Sequence, residues 1–165
     1  MQLGRLSRVA QVHGVDVYVH WTVFLLIALL FLVERKPLTT LIGLVTYLAL
    51  LMLHESGHVA VARLRGYQAF HIAIYPFFGL TAMEAAESRW DRALIAWGGV
   101  AAQLLVAIPV VVTVSLVGYT QRDEWNLVLT ILGNYSLLVA AFNLLPVRPL
   151  DGSVAWGIIN AYFDR

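Results

Sequence analysis

Four apolar stretches, set apart by short charged segments, dominate the pattern of this chain: about 17–33, 38–64, 93–119 and 125–147. A helix needs roughly 20 predominantly apolar residues to cross a hydrocarbon core about 30 Å thick, so each stretch is read as a membrane span. Tyr18 and Trp21 stand at the entrance of the first as interfacial aromatics. Arg5 and Arg8 precede that stretch as they would a signal peptide. Glu34-Arg35-Lys36 follow it with no small-residue cleavage site, so it is read as a retained span. In the third stretch, Gly98 and Gly99 suit close helix packing and Pro109 suits a bend.

The long connection runs from Gly66 to Asp91. Ala69 to Tyr75 is rich in β-branched and aromatic residues, Pro76 and Gly79 interrupt it, and Leu80 to Met83 resumes an extended pattern. A hairpin or membrane-dipping segment is expected here, since non-helical backbone at membrane depth must be buried in protein or line a wet cavity. The expected fold class is an all-α polytopic membrane protein of about four transmembrane helices. A short β-like segment lies between helices 2 and 3, and residues 1–165 form a single domain.

Composition agrees with a membrane solvent. Of 165 residues, 60% are hydrophobic and 13% charged, against roughly 25% charged in ordinary globular chains. A net charge of +1 gives no basic face for nucleic acid. The absence of cysteine excludes disulfides, thiolate ligands, palmitoylation and prenylation. With the N-terminus cytoplasmic, eight of the eleven Lys and Arg residues fall on the cytoplasmic side, namely Arg5, Arg8, Arg63, Arg65, Arg89, Arg92, Arg148 and Arg165. The positive-inside rule therefore places both termini in the cytoplasm, a bias that suits a prokaryotic inner membrane.

Within the second span lies His54-Glu55-Ser56-Gly57-His58, preceded by a run without charge from Leu38 to Leu53. Histidines four apart share one helix face and can hold one metal ion, and the glutamate between them is placed to act as general base. Three ionisable groups in an apolar helix are costly without partners or purpose. A catalytic zinc site normally takes a third protein ligand. The fourth span runs in the same direction as the second, so Asp151, in Asn143-Leu-Leu-Pro-Val-Arg-Pro-Leu-Asp-Gly152, arrives at similar depth. Asp151 is equally suited to cap a short terminal helix, Ser153 to Tyr162. His13, His20, Asp16, Glu84 and Glu87 stay open as alternative ligands.

Together the two motifs resemble the site-2 protease family of intramembrane zinc metalloproteases. Val19-His20-Trp21, Gly79-Leu80-Thr81 and Trp97-Gly98-Gly99 through Gln103 extend the likeness over about residues 12 to 156. That family usually carries Gly-Pro and an Asn where this chain has Gly98-Gly99 and Gln103. The resemblance implies one Zn²⁺ ion held by His54, His58 and Asp151, with Glu55 as base and Asn143 steadying the oxyanion. It implies a form without PDZ or CBS domain, acting on membrane proteins with a single transmembrane helix in regulated intramembrane proteolysis. The segment from Ala69 to Met83 is expected to pair with the unwound substrate, with Ile72, Ile74, Gly79 and Thr81 as contacts. A metal or proton transporter using the same ligands, and an inactive relative that binds membrane segments, are the alternatives. The expected surroundings are the lipid bilayer, with homo-oligomerisation left open.

Overall fold

A computed structural model describes residues 6–12, 14–34 and 36–163. The described chain is mostly helical, with one small sheet. Strands β1 (Leu6–Val12) and β2 (Val15–His20) form an antiparallel hairpin and lead into helix α1 (Trp21–Val33). Helix α2 (Pro37–Leu64) is followed by a second hairpin, β3 (Ala69–Ile74) and β4 (Gly79–Met83), and then by α3 (Arg89–Val117). The chain continues through α4 (Asp123–Thr130), a π-helical turn at Ile131–Tyr135, and α5 (Ser136–Asn143). Two short helices, α6 (Gly152–Ala155) and α7 (Gly157–Phe163), end the described chain.

Among the described residues three helices are long and apolar enough to cross a membrane: Pro37–Leu64, Arg89–Val117 and Asp123–Asn143, the last running through the π-helical turn. Only 28%, 17% and 17% of their most apolar windows are buried. The surface they present is therefore itself apolar, as a bilayer solvent demands. The expected first span divides in two. Val17 to His20 lie in β2, and α1 has 13 residues, about 20 Å at 1.5 Å per residue. Val15, Val17 and Val19 alternate with Asp16, Tyr18 and His20, which is the period of a half-buried strand. The apolar helix that follows directly hides that boundary.

The sheet order is β1-β2-β3-β4, with β2 and β3 parallel and both hairpins antiparallel. The crossover between β2 and β3 is the α1–α2 pair, as a parallel connection requires. Val15 and Val17 of β2 and Ile72 and Ile74 of β3 pack with Val23, Leu51 and Val59 into one core. This corrects the expectation for Ile72 and Ile74. Their side chains are buried, and their strand is paired on both sides: Ile72 lies opposite Val17 and Thr81, and Ile74 opposite Val19 and Gly79. The open edge on that side of the sheet belongs to β4.

Helices α2 and α3 meet backbone to backbone. A Cβ built on Gly57 would fall onto the Gly98 carbonyl, and one on Gly98 would lie 2.6 Å from the Gly57 oxygen and 2.9 Å from Val61 Cγ2. Small residues at such crossings let helices gain packing that lipid tails cannot supply. Beyond the crossing, Asp91 ties the end of α2 to the start of α3. It accepts from Arg65 Nε at 2.6 Å and from the Tyr67 hydroxyl at 2.9 Å, while its own N–H donates to the cap Ser88. On the other side of α3, Gly133 of the π-helical turn sits against Val110 and Val111.

Replacing Gly98 by valine should lower the stability of the bundle by about 1–3 kcal/mol, the usual scale of overpacking. The midpoint of thermal unfolding in detergent checks this, with Leu105→Ala on an exposed part of α3 expected to have little effect.

Candidate metal centre

The four-residue spacing in α2 places His54 and His58 on the face that meets α3, and both are buried together with Glu55. Helix α3 answers with its own stripe at the same spacing: Ile95, Gly99 and Gln103. His58 Nδ1 donates to the Ile95 carbonyl at 2.7 Å, and His54 Nδ1 donates to Gln103 Oε1 at 3.0 Å. Between these anchors, a Cβ on Gly99 would lie 2.6 Å from His54 Cε1 and 2.6 Å from His58 Nε2. The rings therefore occupy the space a side chain would take, crossing edge to face with centroids 4.7 Å apart.

Asp151 arrives from the segment after α5. A Cβ on Gly152 would collide with the Leu144 carbonyl, so only glycine allows the chain to fold back this tightly. Two tryptophans hold the turn. Trp156 Nε1 donates to the Leu144 carbonyl at 2.6 Å, Trp97 Nε1 of α3 donates to the Ala155 carbonyl at 3.1 Å, and their rings pack edge to face. Asp151 occupies the cap position of α6, yet its side chain caps nothing there. It turns instead toward the histidines, with Oδ2 3.0 Å from His54 Nε2 and 3.3 Å from His58 Nε2. Burial pushes its carboxyl upward, but the two histidines outweigh that and hold it well below the usual carboxylate range. Asp151 is thus ionised at neutral pH.

Because both Nδ1 atoms donate to carbonyl oxygens, both Nε2 atoms present lone pairs whenever the rings are neutral, and these stand 3.1 Å apart. Three acceptors converge in a triangle with sides of 3.0, 3.1 and 3.3 Å. Such a cluster is repulsive unless a proton or a metal cation lies among its members. In a tetrahedral zinc site with bonds of about 2.0–2.1 Å, ligand atoms stand about 3.3 Å apart. The residues fit an ion of that kind, and no other metal-capable group of His, Asp or Glu is found among the described residues.

Glu55 is gripped from the sheet. Thr81 Oγ1 donates to Glu55 Oε2 at 2.6 Å, and Gly79 lets the β4 backbone lie directly against the carboxylate, where a Cβ would overlap the Glu55 side chain. His54, Glu55, His58 and Asp151 line one cavity of about 1050 Å³ between α2, β4, α3 and α5, with Glu84 and Arg92 also in its wall. Asn143, partly buried at the end of α5, lines the same cavity, as do Phe77, Phe78 and Leu80. Among the described residues, the other candidate ligands do not converge with these three. His20 caps α1 and stacks on Tyr75, Asp16 pairs with Arg8, Glu84 accepts from the Gln68 N–H, and Glu87 is exposed. His13 lies outside the described residues, as do Arg5, Arg35 and Arg165 of the charge pattern.

The sequence profile of Peptidase family M50 matches residues 42–124, half of the chain. The chain belongs to this family. The matched stretch of this M50 chain holds the two histidines, Glu55, Gly79, Thr81 and Gln103, whereas Asn143 and Asp151 lie beyond it. Among curated proteins, "Putative zinc metalloprotease sll0528" of Synechocystis sp. is 28% identical over 92% of this chain and 44% of its own length. "Putative zinc metalloprotease Rip3" of Mycobacterium tuberculosis is 32% identical over 74% of this chain and 31% of its own length. The M50 chain therefore spans less than half the length of these relatives. Its fold is similar to that of the Site-2 Protease from Methanocaldococcus jannaschii, with a TM-score of 0.77 and 20% identity over 96% of this chain and 72% of that one.

Sequence reasoning missed the two tryptophans and the partner of His54. A buried indole N–H needs an acceptor, so Trp97 in an apolar helix is the signal that could have pointed to the C-terminal turn. Gly99→Ala places a methyl group against both rings. Zinc affinity measured by chelator competition should then fall about 10- to 100-fold, the scale seen when a ligand's supporting contacts are lost. Helical content by circular dichroism should be unchanged.

Proposed function

We propose that this chain is an intramembrane zinc metalloprotease that hydrolyses peptide bonds in or near the transmembrane segment of single-span membrane proteins. The observation that carries the reading is the convergence of His54, His58 and Asp151 beside Glu55, in a cavity walled by the edge strand β4. His54, His58 and Asp151 would hold the ion. When bound, zinc lowers the pKa of water toward neutrality and polarises a carbonyl.

The chain's own residues supply the remaining work. Glu55 takes a proton from the attacking water and passes it to the leaving amine, with Thr81 keeping one carboxylate oxygen in place. Asn143 offers its amide to the developing oxyanion from the same cavity wall. A substrate helix has its carbonyls already bonded, so it must unwind to react. The outer edge of β4 then offers main-chain groups for the extended peptide. This narrows the expected pairing segment, Ala69 to Met83, to its second strand, Gly79–Met83, because β3 is paired on both sides.

The charge pattern supports an orientation with the end of α2, the Arg65–Asp91 junction and the segment after α5 on the cytoplasmic side. Water would enter the cavity from there. Cleavage of a purified single-span substrate, located by mass spectrometry, should require zinc and be lost on chelation. Glu55→Gln should retain the metal while the rate falls at least about 100-fold, the lower range for loss of a general base. Undiminished cleavage by that variant, or zinc flux into liposomes in place of cleavage, would sink the reading.

A further inference from the structure

The two imidazoles of the centre are anchored by different kinds of group. His58 gives its Nδ1 hydrogen to a main-chain carbonyl, that of Ile95, whereas His54 gives its own to the side chain of Gln103. Gln103 lies in α3, outside both ligand motifs, and is 0% exposed. Its Nε2 has no hydrogen-bond partner among the described residues. A leucine or methionine would fill the same volume without leaving a buried donor unpaired, which is a real cost in an apolar interior. What the position requires is the acceptor oxygen. We propose that Gln103 is a positioning residue of the metal centre, fixing the His54 ring with its Nε2 lone pair toward Asp151 and so setting how tightly the centre holds its ion.

The physical reason lies in the imidazole tautomers. A neutral histidine carries one proton, and the hydrogen bond made by one nitrogen decides which nitrogen is free to bind metal. With Oε1 at 3.0 Å, the proton sits on Nδ1 and Nε2 is available. Without that acceptor, Nδ1–H would be buried unpaired, while Asp151 Oδ2, 3.0 Å from Nε2, offers an acceptor on the other side of the ring. The proton then moves to Nε2, where it bonds to Asp151 and occupies the position the metal needs. His58 is protected from this exchange because its acceptor belongs to the helix backbone.

The proposal rests on the metal-centre reading, and the test separates the two. Purified full-length chain in detergent is titrated with zinc against a competing chelator as wild type, Gln103→Leu, Gln103→Met and Gln103→Glu. The leucine and methionine variants should bind zinc about 10- to 100-fold more weakly, while glutamate, which restores an acceptor at the same reach, should recover wild-type affinity or exceed it. Nitrogen-15 histidine spectra of the metal-free proteins should show His54 protonated at Nδ1 in the wild type and mainly at Nε2 in the apolar variants. Two apolar variants of different shape, each checked by thermal unfolding, keep the comparison free of a folding defect. Wild-type affinity in the apolar variants with an unchanged His54 tautomer would overturn the proposal and leave the metal centre standing, as would a glutamate variant as weak as leucine. A wild type that binds no zinc would overturn both.

Discussion

Everything at the centre depends on α2 and α3 touching at their backbones. With a side chain on either Gly57 or Gly98 the helices would stand further apart, and the stripe of α3 could no longer reach the two imidazoles. Lipid gives helices no hydrophobic reason to associate, so this contact must be supplied by shape. The same approach removes any room for a side chain at position 99, and the imidazoles fill that room. One close crossing thereby delivers a floor for the rings, a main-chain acceptor for one and a side-chain acceptor for the other.

A second consequence follows from the apolar surroundings. The polar groups of the centre find their partners on different elements: α3 accepts from the histidines, β4 donates to Glu55, and the segment after α5 brings Asp151 to the two Nε2 atoms. Polar residues in such a helix are expensive when unmatched. Here the matching also assembles the centre, because the partners of His54, His58 and Glu55 come from α3 and β4. The sheet contributes through its edge. Its inner strands close the core with Val15, Val17, Ile72 and Ile74, leaving β4 to lie between the core and the cavity.

The three long spans and the metal-capable motif were legible because their signals are local: length, apolarity and four-residue spacing. Asp151 was reachable through span direction and its helix-breaking prolines, although its alternative role as a cap could not be dismissed from sequence. The structure puts it at the cap position with its side chain elsewhere. The strand β2 was hidden because its alternating valines run straight into the apolar α1. Ile72 and Ile74 were misread because the parallel partner that covers β3 comes from residues 15–20, more than fifty positions earlier. Nothing local marks such a pairing. Gln103 and Trp97 belong to the same class, since each is explained only by a group on another element.

The π-helical turn at Ile131–Tyr135 has a further meaning for how this last span is built. One additional residue in a helical turn rotates all that follows by about 100°. The first half of the span packs through Leu127 against Gly43 of α2, while the second half presents Leu138, Phe142 and Asn143 to the cavity. The turn uncouples the phase of the two halves. The face that seats the span on its neighbour and the face that shapes the cavity can therefore diverge independently along what is, in outline, a single rod.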